Sequence, residues 1–443
     1  MNVERTRPPR RQDRRTTRFE KGGRAGSLAI IVGGALLGWA LPNLEPHLPS
    51  AGLGFSASTA QAALGAIAAA MITLAGFVLT AVTLVIQTIQ AMSPRLVGAL
   101  HYFGRFLTVF ALLVGTALYA LVALSQVDSD QTPRLAVTFA VAAVLFDTVV
   151  VLQMLAALRS VVTGGGLSRS VGARLHDVVE AVYPTPREDA RPRRVGPDAD
   201  ADRPRIDVRY GGSPGTVRSL DEEELVRLAA RSDAWIEMTV TVGDFVGTQA
   251  RVARIVAPEG ATIPREVVEQ VSGTVACGPT RTFEQDPAYG MRLLADIAVR
   301  ALSPAVNDPT TAVQALDQIE DALVKLSARA LGSFGLVDDT EAVRVRCPAP
   351  SWADLVALAL DETLLYGAGN PQVARRIRAL LERTAAHAPP DRRPPLRERL
   401  ALLDRLVVRS APDPHFLVIS EAADPQGLGG PTGPHPTPGR PPS

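Results

Sequence analysis

The hydrophobic positions of this chain fall first into four long stretches with almost no charge. They are residues 25–44 between Arg24 and Glu45, 60–90 ahead of Arg95, 106–127 between Arg105 and Asp128, and 135–158 between Arg134 and Arg159. Only the last is interrupted, by Asp147. A hydrocarbon layer about 30 Å thick takes about 20 apolar residues in a helix, and charge inside it is expensive, so each stretch predicts a transmembrane helix. The first has its apolar core at 28–41 and no small-x-small site promptly after it, so it reads as a retained helix and not as a cleaved signal peptide.

After the fourth stretch the pattern changes. Leu167, Val171, Leu175, Val178 and Val182 recur at helical spacing around Arg169 and Arg174, an amphipathic segment expected to leave the bilayer and lie on its surface. Residues 184–205 mix proline with both charges and read as a flexible linker. Residues 205–219 then read as two short strands joined as a hairpin by the turn at 211–215. A helix follows at 221–230, with Asp221 and Glu224 at capping-box spacing, and half-buried strands at 236–242 and 245–256 flank Gly243 and Asp244. Pro264 starts a short helix and 274–282 is a strand. Helices are expected at 289–302, 309–330, 351–365, 371–387 and 396–409; Asp308 then Pro309, and Asn370 then Pro371, open two of them. From 411 the chain is rich in Pro and Gly and is expected to be disordered.

Charge supplies an orientation. One set of loops holds the basic N-terminal segment (Arg5, Arg7, Arg10, Arg11, Arg14, Arg15, Arg18, Lys21, Arg24), then Arg95 and Arg105, then Arg159, Arg169 and Arg174; the other holds only Arg134. By the positive-inside rule the first set is cytoplasmic, and an even number of spans places both termini there. The fold class is therefore an α-helical membrane bundle of four transmembrane helices followed by a cytoplasmic α+β domain, a small β-rich module plus a helical region. By segment, 1–24 is a basic cytoplasmic tail and 25–160 the transmembrane region. Residues 161–205 are the juxtamembrane segment and linker, 206–410 the cytoplasmic domain and 411–443 the tail. The expected location is the bacterial plasma (inner) membrane. Lys21 and Lys325 are the only lysines beside many arginines, which suggests a GC-rich bacterial genome and carries no functional weight.

Composition removes several classes of chemistry. Cys277 and Cys347 are the only cysteines in 443 residues, with no CxxC, so neither a disulfide framework nor a thiolate metal site is encoded. The six histidines stand singly, none at helix-face ligand spacing, so no metal is expected. There is no P-loop and no HExxH, and the GxSxG match around Ser213 is followed by Pro214, Gly215 and strand residues, not by the helix that a nucleophile elbow needs. No catalytic residue, no cofactor and no enzyme activity are expected. The basic tail next to a span serves topology and anionic lipid, not nucleic acid.

Three features could carry function. In the second span Ala62, Ala66, Ala69, Thr73, Gly76, Thr80, Thr83, Gln87 and Gln90 follow one another at alternating steps of three and four, all small or polar. Close helix packing through small residues is the plainer reading, and a pore lined by hydroxyls and amides the functional one. Asp147 is an acid within a span, by default a functional candidate, with a protonated, hydrogen-bonded structural role standing equally beside it. The third is the segment 301–312, which joins two helices. Here Asp308 can cap the second helix and its first-turn N–H groups, near Ser303, Asn307 and Thr311, could receive a small anion with Arg281 or Arg300 as counter-charge. A rigid corner is the plainer reading of the same residues.

Taken together, Ser93 to Arg95 (SPR), VGDFVGT from Val242, RTFEQD from Arg281, and ADIAVRALSPAVNDPTTAVQALDQIEDAL from Ala295 resemble the bacterial DUF2254 family of predicted membrane proteins, over a region from about the first span to about Arg409. The resemblance implies a membrane protein and supplies no mechanism. Family members carry histidines in the last span where this chain reads FDTVVV from Phe146, so a role tied to those histidines has no counterpart residue here. VGDFVGT also resembles a turn of lipoyl-like barrel modules, but no lysine follows at a suitable place, which leaves a structural or docking role. The leading expectation is an oligomeric channel-like or transport-related protein, a homo-oligomer in the lipid bilayer handling an ion or small anion. A membrane-anchored sensor or scaffold whose cytoplasmic domain binds a ligand or partner is the alternative.

Overall fold

Four helices lead the chain: α1 (Asp13–Leu44), α2 (Ala57–Met92), α3 (Phe103–Leu124) and α4 (Arg134–Val162). Each is long and apolar enough to cross a membrane. The structure, a computed structural model, describes residues 13–47, 54–92, 103–127, 133–162, 165–183, 204–257, 260–411 and 413–421. The basic segment to residue 12, the loop at 93–95, the linker at 184–203 and the tail from 422 lie outside the described residues. Two compact units result, one holding α1–α4 and the other running from Leu167.

In the first unit α3 is the central helix, packed against α1, α2 and α4. Its contact with α1 is made backbone to backbone. Gly34 and Gly38, four apart on α1, leave room where a Cβ would strike the Gly115 carbonyl or stand 2.5 Å from the Tyr119 carbonyl oxygen. This is the small-xxx-small device of membrane helix pairs. The Glu45 carboxylate, just past α1, accepts from the Leu135 N–H at 2.9 Å and so caps the start of α4, where the helix dipole favours an anion. The Tyr119 hydroxyl donates to the Ala136 carbonyl at 2.8 Å, tying α3 to α4. Outward, Leu28, Trp39, Phe77, Leu84, Leu145 and Leu152 are each more than half exposed.

The second unit begins with α5 (Gly166–Val182). Its apolar face was expected on the bilayer surface, but Val171, Leu175, Val178 and Val179 are buried under protein. Leu175 lies against Gly290, Lys325 pairs with Glu180 and Arg329 donates to the Tyr183 carbonyl, so the segment is part of the folded unit.

Among the described residues the β-rich part has eight strands in two sheets. They are β1 (Arg205–Arg209), β2 (Gly215–Leu220), β3 (Trp235–Met238), β4 (Phe245–Val246), β5 (Arg251–Val256), β6 (Val275–Gly278), β7 (Phe334–Val337) and β8 (Val343–Cys347). The orders are β1-β5-β3-β8-β7 and β4-β2-β6, all neighbours antiparallel except β3 with β8. β1 and β2 therefore form no hairpin: the turn at 211–215 hands the chain from one sheet to the other, because β1 finds a full-length partner in β5 and β2 in β6. Helices α6 (Glu222–Arg231) and α7 (Arg265–Gly273) cover a core that includes Val217, Leu225, Leu228, Ile236, Ile255 and Val271.

The helical part comprises α8 (Pro287–Ala301), α9 (Pro309–Ser327), α10 (Trp352–Gly367), α11 (Pro371–His387), α12 (Arg393–Ser410) and α13 (Pro414–Glu421). Asp286, Asp308, Ser351 and Asn370 cap four of them with side-chain oxygens. The expectation of disorder from 411 fails at α13. The run HFLVIS gives that segment an apolar side, and Arg375 of α11 donates to the Ile419 carbonyl at 3.0 Å. Arg392 is buried against the C-terminus of α9, its guanidinium donating to the carbonyls of Leu326 (2.8 Å), Ser327 (3.1 Å) and Arg329 (2.6 Å) and lying over the Trp352 ring.

Candidate functional site

On α2 the buried residues are Ala60, Leu64, Ala68, Met71, Ala75, Val78, Val82 and Ile89, and all but Ile89 share apolar clusters with α3 and α4. At 3.6 residues per turn the small and polar series lies on nearly the opposite side. Every member, Ala62, Ala66, Ala69, Thr73, Gly76, Thr80, Thr83, Gln87 and Gln90, is exposed on the outside of the four-helix unit. A Cβ placed on Gly76 would meet nothing within 4 Å. Among the described residues no helix of the chain covers this face, and α2 meets α3 and α4 through its buried apolar residues.

The hydroxyls along the face are oriented by the helix itself. Thr73 donates to the Ala69 carbonyl at 2.9 Å, Thr80 to Gly76 at 3.0 Å and Thr83 to Leu79 at 2.8 Å, the back-bonding open to threonine in a helix. With each proton used, what the hydroxyls present outward is lone pairs, together with the exposed amides of Gln87 and Gln90 lower on the same face. α2 holds no charged residue, so the face is polar and uncharged.

Asp147 lies inside the unit and not on that face. It is 1 % exposed, on the side of α4 that carries Val144 and Val151 into a cluster with Met71, Ala75, Leu113 and Ala117. Neither carboxylate oxygen closes a well-formed hydrogen bond among the described residues, although the Thr116 hydroxyl of α3 stands alongside.

The segment 301–312 is a closed corner. Val306 and Asn307 N–H groups donate to the Ser303 carbonyl, and Asp308 N–H to the Ala301 carbonyl at 2.7 Å, with Asn307 in the left-handed region at φ 48°. Asp308 accepts from the Thr311 N–H at 3.1 Å and from the Thr311 hydroxyl at 2.5 Å. The Thr311 donors are therefore used by a carboxylate, which would repel an anion. Arg281 is committed elsewhere, with two 2.8 Å bonds to Asp286 and its guanidinium over the Tyr289 ring. Burial pushes the Asp286 carboxyl above its ordinary range against the opposing pull of that guanidinium. Arg300 is exposed on the last turn of α8.

The sequence motifs meet at a joint. Gly243 of VGDFVGT, at φ 98°, lies where any Cβ would strike the Arg281–Asp286 pair of RTFEQD. Gln285 bonds both the N–H and the carbonyl of Leu220, completing the edge of β2. Asp286 caps α8 and Phe283 packs edge-on to Tyr289. These residues fasten the sheets to the helices, a role that sequence reasoning missed because their partners are distant in the chain. The Gly34 and Gly38 pair was also missed, although its spacing was visible.

A family model described as a predicted membrane protein (DUF2254) matches residues 26–383. Among curated relatives, a protein of Mycobacterium bovis named only as uncharacterised is 28 % identical over 369 residues, 80 % of this chain and 69 % of its own length. An uncharacterised protein of Mycobacterium tuberculosis (strain H37Rv) matches with the same figures, and one from strain CDC 1551 is 27 % identical over 369 residues, with the same 80 % and 69 % shares. No solved structure matches the chain.

Proposed function

Since this chain belongs to the DUF2254 family of predicted membrane proteins, we propose that α1–α4 cross the bacterial inner membrane and that copies of the chain assemble through the small, polar face of α2 around a conduit for an ion or small polar solute. The observation that carries this reading is the position of Thr73, Gly76, Thr80 and Thr83 outside the chain's own bundle. Small residues let helices approach closely, and hydroxyl lone pairs suit a wet lining better than they suit lipid. A single copy has one such face and cannot enclose a path, so the reading requires a homo-oligomer. Arginine placement supports an orientation with both termini in the cytoplasm, the α+β unit serving as a non-enzymatic assembly or regulatory platform. The sensor reading stands as the alternative, although in the 301–312 corner the Thr311 N–H and hydroxyl are taken by Asp308.

Ion flux into liposomes holding the purified chain tests this. Wild type is expected to conduct, and Thr80→Leu combined with Gln87→Leu to fall to the level of empty liposomes. Both positions are exposed, so folding should change by no more than about 0.5 kcal/mol. Flux indifferent to the double substitution would remove the conduit.

A further inference from the structure

We propose that Asp147 is a proton-binding site at the middle of the membrane-spanning unit, with the Thr116 hydroxyl as its polar neighbour. The proposal rests on the reading that α4 crosses the bilayer, but not on assembly through α2. Arg134 and Arg159 mark the two ends of the span; at 1.5 Å per residue Asp147 lies roughly 18–20 Å from each along the helix. It is 99 % buried, with neither oxygen in a well-formed hydrogen bond among the described residues.

Among the described residues no counter-charge faces it from the helices packed around it. On α1 the charged residues end at Arg24, and Glu45 beyond its far end is occupied by the start of α4. α2 carries none. On α3 the only one is Arg105, at the helix start, and the one other titratable group, Tyr119, donates to the Ala136 carbonyl. Within α4 only Arg134 and Arg159 accompany it, at the span's ends.

An isolated carboxylate in such surroundings carries a desolvation penalty even after relaxation, with no Coulombic gain to offset it. A positive charge must therefore come from the water phase. One carboxyl and one hydroxyl fall far short of the roughly six to eight oxygens that a hard metal ion such as calcium collects. A proton needs only the carboxyl: it adds to one oxygen, and the O–H so formed can donate to the Thr116 oxygen. When the group gives it up, the proton passes to water and the charge left behind has to be solvated, so release requires the α2–α3–α4 packing to open. That couples proton binding to helix packing, as expected of a relay or coupling site.

The test is infrared spectroscopy of the full-length chain in lipid at neutral pH. The wild type is expected to show the carbonyl stretch of a protonated carboxylic acid, lost in Asp147→Asn. In Thr116→Val the band should move without disappearing, which keeps the assignment testable if the first variant folds poorly. The wild-type melting midpoint should be the same in sodium, potassium and choline chloride. A spectrum with no acid band that either substitution alters, or a midpoint that sodium raises in the wild type and not in Asp147→Asn, would overturn the proposal in favour of an ionised carboxylate.

Discussion

Leucine at Gly34 is expected to break the first unit, whereas leucine at its neighbour Gly33 should be tolerated. The two glycines are adjacent in α1, yet a Cβ at Gly34 runs into the backbone of Gly115 and one at Gly33 meets nothing within 4 Å. A rigid backbone cannot give way as a flexible side chain would, so Gly34→Leu should cost about 3 kcal/mol or more, at or above the upper end for overpacking. At Gly33 the substitution removes a weak helix former, worth up to about 1 kcal/mol in the favourable direction. Thermal unfolding in detergent, read with protease resistance of α1, separates the two. Equal behaviour would mean that α1 does not meet α3 through this glycine surface.

The second large effect is expected at Arg392. Its guanidinium supplies donors to three carbonyls at the end of α9 and covers the Trp352 ring, whose N–H in turn donates to the Arg392 carbonyl at 2.7 Å. Arg392→Met keeps most of the stem and removes every donor. Each buried carbonyl left bare costs about 1–3 kcal/mol, so a loss of about 3 kcal/mol or more is expected in denaturant unfolding of the second unit. Arg392→Lys should recover part of it, because an ammonium keeps the charge at the helix C-terminus but cannot reach three carbonyls in a planar fork. Full recovery by lysine would show that charge alone is at work.

Local signals in the sequence were legible where the chain folds on itself nearby. The charge-free stretches gave the four long helices, and Asp308 before Pro309 or Asn370 before Pro371 marked helix starts because cap and first turn are neighbours in sequence. What depended on distant partners was not legible. Two strands beside a Gly-rich turn looked like a hairpin, but period-2 patterning says nothing about which strand pairs with which, and β1 went to β5. β7 and β8 were not among the expected strands, although Val343, Val345 and Cys347 alternate with Arg344 and Arg346. The helical spacing of α5 was correct, yet an amphipathic face does not say whether lipid or protein covers it.

For the candidate site, the spacing on α2 located the small and polar series, but only the structure showed which side the bundle leaves open. The sequence offered Arg281 or Arg300 as counter-charge for an anion at 301–312, beside the plainer reading of a rigid corner; pairing with Asp286 places Arg281 at the joint between sheets and helices.

The most direct test of the central claim is disulfide cross-linking in membranes. In a Cys277→Ser, Cys347→Ser background, single cysteines replace Gly76 or Thr80 on the open face of α2, and Met71 or Val78 on its buried face. Assembly through the open face predicts covalent dimers from Gly76→Cys and Thr80→Cys and none from Met71→Cys or Val78→Cys. Monomers at all four positions, or dimers only from the buried pair, would contradict it.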